Sequence, residues 1–576
     1  MSTEPRTAPT SGPARLRRSP AAEYVARWAT DRRLPDVLAA GAMLVSGALL
    51  VHWLSRLTFW RDEWEFLLHR RGWGIDTFLD PAVEHLVAIP ILIYKLLLEV
   101  VGMDSPIPYQ LVSVATFLLS VGLLFIYVRA RLGAWLALAA ILPILFLGPA
   151  WDNLLFAYQV TWFGSVACGL GALMCLERDT RGWDIAATGL LIAGLLFSHA
   201  GIPFVAGATV EVALSPRRFR RAFVPVVPTV LWFIWYLGWG QTAETFISFD
   251  NVANLPNYVL DGLSSSLAVY LGLSRPIGSE EQAAAALEWG RPLLVLAAGL
   301  AAWRLIRLRR PPDRLLVVGA VLLGYWSLTA LNASIFGLPT VGRYQYFGLV
   351  GLALLAAELG RGARIGRWVT AAILAVAVMS ALNNYTRLRD AADGLTVIAQ
   401  KTRGGLAALE LARVEADPEL VLDEDNSGVN YLGLVDAASY FSAVDAYGSP
   451  AYTPDELVDA PEPARVAADL VSGTALGAAL APPPADVSSR CLRVPAGSSP
   501  TAPLPAEGLV IAARGGEVGV ALRRYAADSF PFAAGTLAPG ERQLVRIAPD
   551  ASSVPWTVQL TGTGRALVCP VAGARR

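Results

Sequence analysis

Apolar runs of roughly 12–20 residues recur from residue 37 to residue 382, and this repetition leaves few folds open to the chain. A helix needs about 20 residues to cross the hydrocarbon layer of a bilayer. The runs at 37–55, 109–128, 134–147, 160–176, 185–197, 202–214, 222–239, 292–306, 315–331, 346–357 and 368–382 predict a polytopic α-helical membrane protein of about eleven spans. The shorter ones complete their crossing with flanking residues. Composition agrees. Of 576 residues, 54% are hydrophobic and 16% charged, whereas a soluble domain carries about 25% charged residues. A water-soluble body of this size is excluded, as are a disordered chain, a collagen and a coiled coil. Lys+Arg and Asp+Glu are both 47, so no basic excess points to nucleic acid. A long polar leader precedes the first run, which is therefore not expected to be a cleaved signal peptide.

Arginine sets the expected orientation. The leader carries Arg15, Arg17, Arg18, Arg27, Arg32 and Arg33. Later clusters are Arg129/Arg131, Arg178/Arg181, Arg217/Arg218/Arg220/Arg221, Arg304/Arg307/Arg309/Arg310 and Arg361/Arg364/Arg367. With eleven spans and a cytoplasmic N-terminus, all fall on the inner side, as the positive-inside rule requires. The expected domains are a cytoplasmic leader over 1–36, a transmembrane domain over 37–382 and an exported tail. The outer side then receives the loops 59–109 and 240–291 and the turns 148–159, 198–201 and 332–345. Within loop 59–109, the run 86–101 carries Lys95 and Glu99. Read as a span it would put Arg129 and Arg131 outside, so an amphipathic surface helix is predicted there, with a short helix before it over 62–71.

Ionisable groups are scarce inside the spans, whereas a proton-coupled transporter would bury Asp, Glu or His at mid-span. They gather at the outer ends instead. Trp60-Arg61-Asp62-Glu63-Trp64-Glu65 opens the first outer loop, and Glu84-His85 follows. Trp151-Asp152-Asn153 and Gln159 occupy the turn after the third span, Ser198-His199 closes the fifth, and Gly342-Arg343-Tyr344 opens the tenth. A carboxylate can accept a proton, and Arg can hold a phosphate in a planar fork. Asp62 and Glu63 are therefore the candidate catalytic residues. His85, Asn153, Gln159, His199, Arg343 and Tyr344 are the candidates for binding substrate. Each has a plainer reading. Asp62 and Glu63 could be acids favoured at a helix start, His85 a surface histidine, His199 a packed ring and Arg343 an interface anchor. Asp152, Asn153 and Gln159 could be caps.

This layout resembles the GT-C superfamily of integral-membrane glycosyltransferases, which use polyprenyl-phosphate sugars and include protein mannosyltransferases and bacterial arabinosyltransferases. The acidic pair Asp62-Glu63 just after the first span is similar to that family's first-loop motif. The segment from Glu84-His85 to Val101 resembles its surface helices, and Gly342-Arg343-Tyr344 resembles an Arg-Tyr element before a late span. The resemblance implies a GT-C-like fold in the plasma membrane. It implies inverting transfer of a hexose or pentose from a polyprenyl-phosphate donor to an envelope glycan, lipid or protein acceptor on the extracytoplasmic side. In it, Asp62 is the general base, Arg343 offsets the charge of the departing phosphate, and Glu63 orients the acceptor or tunes Asp62. No Asp-x-Asp stands among these loops, so no cofactor is expected, although some members of the superfamily use a divalent metal. Two other classes stay open on the sequence alone: a transporter or flippase of an envelope lipid, and a non-catalytic scaffold displaying the exported tail.

That tail reads as an α/β region. Residues 383–484 are helical or mixed. From Arg490 the pattern turns to short alternating runs punctuated by Gly and Pro, so 485–576 is expected to be a β-sandwich-like module. Cys491 near its start and Cys569 near its last strand predict a disulfide outside the cytoplasm. Cys168 and Cys175, in an apolar run, read as packing thiols.

Overall fold

The computed structural model describes residues 33–571 apart from 83, 244–246, 274–279, 309–310, 333–337, 430–431, 486 and 489, and describes 280–286 by backbone alone. Nearly all of the leader, together with Arg309 and Arg310, lies outside the described residues. The first helix, α1 (Leu34–Leu54), starts with Pro35 and Asp36 in its first turn. Both are favoured there, proline because its missing N–H is not needed and the carboxylate because it faces the positive end of the helix dipole. A turn at Asp62–Trp64 then runs into a π-helical turn at Glu65–His69, and α2 (Ala88–Val101) closes the first loop. The bundle continues with α3 (Ile107–Leu132), α4 (Ala134–Leu145), α5 (Val160–Leu176), α6 (Arg181–Phe197), α7 (Ile202–Leu214), α8 (Phe223–Gly238), α9 (Phe249–Tyr270), α10 (Glu280–Arg307), α11 (Asp313–Leu331), α12 (Gly342–Gly360) and α13 (Arg367–Leu411). Gly133, at φ 86°, makes the sharp α3–α4 reversal that a side chain would strain.

A helix lies over each of the eleven apolar runs. Among the described residues, however, seven helices are long and apolar enough to cross a membrane alone. An eighth is obtained if α4 and Gly148–Leu154, bent by 46°, count as one broken span. α6 and α7 have 17 and 13 residues. The count of eleven spans is thus not confirmed by helix length and apolarity. The region expected to be a long loop over 240–291 instead contains α9, a 22-residue helix inside the bundle. Its sequence hid it, because Asp250, Asn251, Asn257 and Asp261 dilute its apolar content. It packs through small residues: Ser264, Ser265 and Ser266 are buried, and Gly262 abuts the Trp326 ring.

The arginine clusters meet at one end of the bundle. Arg129 reaches Asp36 through two 2.8 Å hydrogen bonds. Arg131 pairs with Glu177 and the fully buried Glu358, and Arg314 pairs with Glu177 and Glu211 at 3.0 and 3.4 Å. Arg221 pairs with buried Asp184 at 2.7 Å, and Arg304 donates to the Leu359 and Arg361 carbonyls. Outward faces of α8, α10 and α13 expose Phe233, Ile234, Leu296, Ile306, Trp368 and Met379. A belt of this kind is stable against lipid, not water.

At the other end, α13 leaves the bundle. Its 45 residues extend about 68 Å, more than twice the ~30 Å hydrocarbon core. The sequence ends the apolar run at 382, but no Gly or Pro interrupts 383–393, so one helix continues. Its second half packs on α15 (Glu462–Ala475), where Gly404 sits so close to the Ala464 backbone that no side chain fits. α14 (Ala437–Tyr447) lies over the first loop: Trp64 meets Tyr440 edge to face at 6.1 Å. His69 and Arg71 also bond to Leu434 and Ser442.

Among the described residues, nine strands complete the tail: β1 (Ala479–Ala481), β2 (Leu492–Val494), β3 (Thr501–Pro503), β4 (Leu509–Arg514), β5 (Val518–Arg523), β6 (Phe532–Leu537), β7 (Arg542–Arg546), β8 (Thr557–Thr561) and β9 (Arg565–Pro570). They form two antiparallel sheets, ordered β1-β7-β4-β9-β2 and β3-β8-β5-β6. β5 shows why: Val518, Val520 and Leu522 are buried and alternate with less buried residues. β1 precedes residue 485, so the sandwich draws an edge strand from the mixed segment. Cys491 and Cys569 are joined in a disulfide closing 78 residues, while Cys168 and Cys175 are thiols. Cross-linking removes freedom from the unfolded chain. The Cys491→Ser/Cys569→Ser double variant is expected to lose about 2–4 kcal/mol in the sandwich, seen as a lower unfolding midpoint in detergent. A midpoint that neither this variant nor reductant moves would contradict it.

Candidate functional site

The first loop is built around one inward-facing acid. Glu63 is 3% exposed. It accepts from the Trp60 N–H at 2.7 Å, the Tyr94 hydroxyl at 2.6 Å and the Tyr158 N–H at 3.2 Å. It thus ties the loop to α2 and to the segment before α5. Trp60 stacks on Phe156 at 5.0 Å from the same side. Complete burial outweighs these three donors and pushes the Glu63 carboxyl up to about 7. The folded chain then holds this proton more tightly than the unfolded one. The stability it contributes is complete below the ordinary glutamate value of 4.5 and is lost as pH rises through about 7. Glu63→Gln is expected to flatten this dependence. It should also lower overall stability by about 1–3 kcal/mol, because an amide N–H would face the Trp60 N–H. Thermal midpoints of both proteins between pH 5 and 8 (roughly the span of the shift) test this. Parallel curves would remove the assignment.

Turning Glu63 inward presents its neighbour. Arg61, at φ 38° and ψ −104°, occupies a backbone region that costs a non-glycine residue about 1–3 kcal/mol. The bend aims Asp62 away from the core, with its side chain 41% exposed. Partial burial raises the Asp62 pKa above the ordinary aspartate value, against the opposing pull of Arg61, Arg343 and His85. The charge of Arg343, in the first turn of α12, acts on Asp62, Glu84 and Asp152 together. Residues from the first loop, the α4–α5 turn and α12 therefore converge at the end of the bundle that carries the tail.

Glu84 and His85 stand beside Asp62. The isolated bridge between Ala82 and His85 fixes this corner, and His85 Nε2 lies 3.1 Å from Glu84 Oε1. Burial works to raise Glu84, but the charge and hydrogen bond of His85 carry it below the ordinary value. His85 Nδ1 is buried without a hydrogen-bond partner among the described residues, as are one oxygen each of Asp152 and Asn153. His199 sits behind His85, ring centroids 5.1 Å apart, enclosed by Trp232 and Trp235. Its Nε2 accepts from the Leu86 N–H at 3.4 Å. Burial, and then the His85 charge, pulls its pKa well down, so it is a neutral ring propping His85. Asn153 donates to Gln159 at 3.1 Å, both buried. Tyr344 is buried beneath Arg343, and its carbonyl accepts from Tyr325.

Glu84 and Asp152 join the site although the sequence reading, which noted both at the outer ends, chose only their neighbours His85 and Asn153 as candidates for binding substrate. An ionisable residue adjoining a candidate was the available signal. Tyr94 and Tyr158 gave none, since a tyrosine in an apolar stretch reads as packing. Among the described residues no group of three or more His, Cys, Asp or Glu side chains could hold a metal ion.

Fold and site together define a polytopic helical membrane protein with a polar recess at one bundle end and, at that end, a tail that finishes in a β-sandwich. No protein-family model matches the sequence, and no curated protein sequence matches it. Among solved structures the chain is similar to that of ArnT from Cupriavidus metallidurans bound to undecaprenyl phosphate. The match covers 73% of this chain and 90% of that one, at 14% identity and a TM-score of 0.41.

Proposed function

We propose that the protein is a GT-C-like glycosyltransferase. It transfers a sugar from a polyprenyl-phosphate donor to an envelope glycan, lipid or protein acceptor on the extracytoplasmic side of the plasma membrane. The observation that carries this reading is the convergence of a presented carboxylate, Asp62, with Arg343 at a helix-bundle end bordering the lipid belt. The acceptor hydroxyl loses its proton to Asp62 as its oxygen attacks the anomeric carbon. The bond from that carbon to the phosphate oxygen breaks, and the polyprenyl phosphate leaves with the electron pair. Arg343 offsets the charge that develops on it. A single displacement from the opposite face inverts the anomeric centre. Glu63 and His199 act as positioning residues for Asp62 and His85. The arginine clusters at the far end support an inner location for that end, by the positive-inside rule. Buried ion pairs join neighbouring helices at that end, which supports a one-sided site over a transport path.

The test is an assay in proteoliposomes with a panel of polyprenyl-phosphate sugars and simple hydroxyl acceptors. Consumption of one donor by the wild type, lost in Asp62→Asn, is the expected result. Movement of intact lipid between leaflets without sugar transfer would make the protein a transporter instead.

A further inference from the structure

An apolar cavity of about 480 Å³ opens between α3, α4, α12 and α13, in the half of the bundle nearer the arginine-bearing end. Its floor is made of small residues: Ala139 of α4, Ala353 of α12 and Ala377 of α13 are buried there. Leu132 and Gly360, the last residues of α3 and α12, stand at its mouth. Tyr270, the last residue of α9, lies at the far end, where its carbonyl accepts from Ser380, one turn beyond Ala377. From Arg367, where α13 starts, to Ala377 the helix rises about 15 Å, half of the ~30 Å hydrocarbon core. The cavity therefore has the depth of one leaflet. Among the residues lining it, Tyr270 alone has a polar side chain, and its hydroxyl donates to the Ala140 carbonyl at 2.7 Å. A sugar or an ion finds no partner inside. A hydrocarbon chain fits, although lipid tails are as apolar as the lining, so the cavity orients a chain without driving its capture.

Selection comes from the mouth. The connection from α12 to α13 turns at Gly362, at φ 73°, where a side chain would strain the backbone. Arg304 of α10 holds the start of this connection through the Leu359 and Arg361 carbonyls at 3.1 and 3.0 Å. Ile365 enters the lining, and Arg364 and Arg367, to either side of it in the chain, are exposed. Neither has an ion-pair partner among the described residues. Arg361, 60% exposed, lies 3.9 Å from Glu358, whose charge is already met by Arg131. Arg129, Arg221 and Arg314 at the same end each have a carboxylate within 3.0 Å. The mouth thus gathers positive charge that the protein does not neutralise, directly over an opening one leaflet deep. Basic pockets between spans on the cytoplasmic side suit anionic lipid headgroups.

We propose that this cavity holds one acyl chain of an anionic phospholipid from the leaflet at the arginine-bearing end, with the lipid phosphate at Arg361, Arg364 and Arg367. The site stands at the opposite end of the bundle from the Asp62 recess. It needs the bundle to lie in a membrane but no sugar transfer, so either reading can fail alone. The test is native mass spectrometry of the full-length protein in detergent, titrated with dioleoyl phosphatidylglycerol, dioleoyl phosphatidylcholine and undecaprenyl phosphate. One phosphatidylglycerol should bind saturably, at least about tenfold more tightly than phosphatidylcholine. Each basic residue near an anionic surface is worth about fivefold, so Arg364→Gln/Arg367→Gln should bring the two lipids within about threefold of each other. Ala356→Phe and Ala372→Phe start from exposed residues of the lining. Together they should remove the saturable site by filling the space without disturbing the core. Equal affinity for the two phospholipids, a preference unmoved by both variants, or displacement of phosphatidylglycerol by an equal concentration of undecaprenyl phosphate would each overturn the assignment.

Discussion

Asp62→Asn is expected to lower sugar transfer by about 10²–10⁴, the usual loss when general-base help is removed. The amide keeps the size and most of the polarity of the carboxylate but cannot take the acceptor's proton. Folding should be spared, because Asp62 is 41% exposed and the loop is held by the neighbouring Glu63. The pH profile adds a second reading. Partial burial holds the Asp62 pKa above the ordinary value, and the base works only when ionised. Activity should therefore rise with pH through that pKa, and the variant should lose this limb. A folded Asp62→Asn protein with wild-type turnover would remove the mechanism.

Arg343→Ala is expected to cost about 10²–10³ in turnover, comparable to losing one preorganised donor to a developing oxyanion. It should also raise KM for the donor lipid, since the phosphate is charged before the reaction as well as during it. Arg343→Lys restores the charge without the planar fork and should recover activity only in part. Steady-state kinetics with the polyprenyl-phosphate sugar separate the two effects. Unchanged kcat and KM in the alanine variant would free Arg343 from the role. The local structure gives reason to expect a clean result: Arg343 sits in the first turn of α12, whose packing rests on Tyr346, Phe347 and Val350.

What the sequence disclosed follows from how each residue acts. Asp62 and Arg343 were legible in place, though not in role, because a charge at the end of an apolar run marks the membrane border. The arginine clusters were legible for the same reason, and in the structure they interlock at one end. The inward turn of Glu63 was not legible, because it depends on Tyr94 and Tyr158, 31 and 95 residues away. α9 was hidden because its stability comes from serine and glycine packing rather than from an apolar stripe. The continuity of α13 across 382 was hidden because hydropathy falls there while helix-forming residues continue. The sandwich was visible in its alternation and turn residues, but its edge strand β1 was too short to stand out.

The docking of the tail on the first loop has a consequence for the order of events in synthesis. His69 and Arg71 find their partners 365 and 371 residues further along the chain. A ribosome adding about 5–20 residues per second needs roughly 20–70 s to cover that distance. Through this interval the loop bearing Asp62 has been made, while the surface that covers Trp64 does not yet exist. The half-made protein is thus kept from covering this loop until α14 is in place. Maturation of the site is timed by the synthesis of α14 rather than by insertion of the first span.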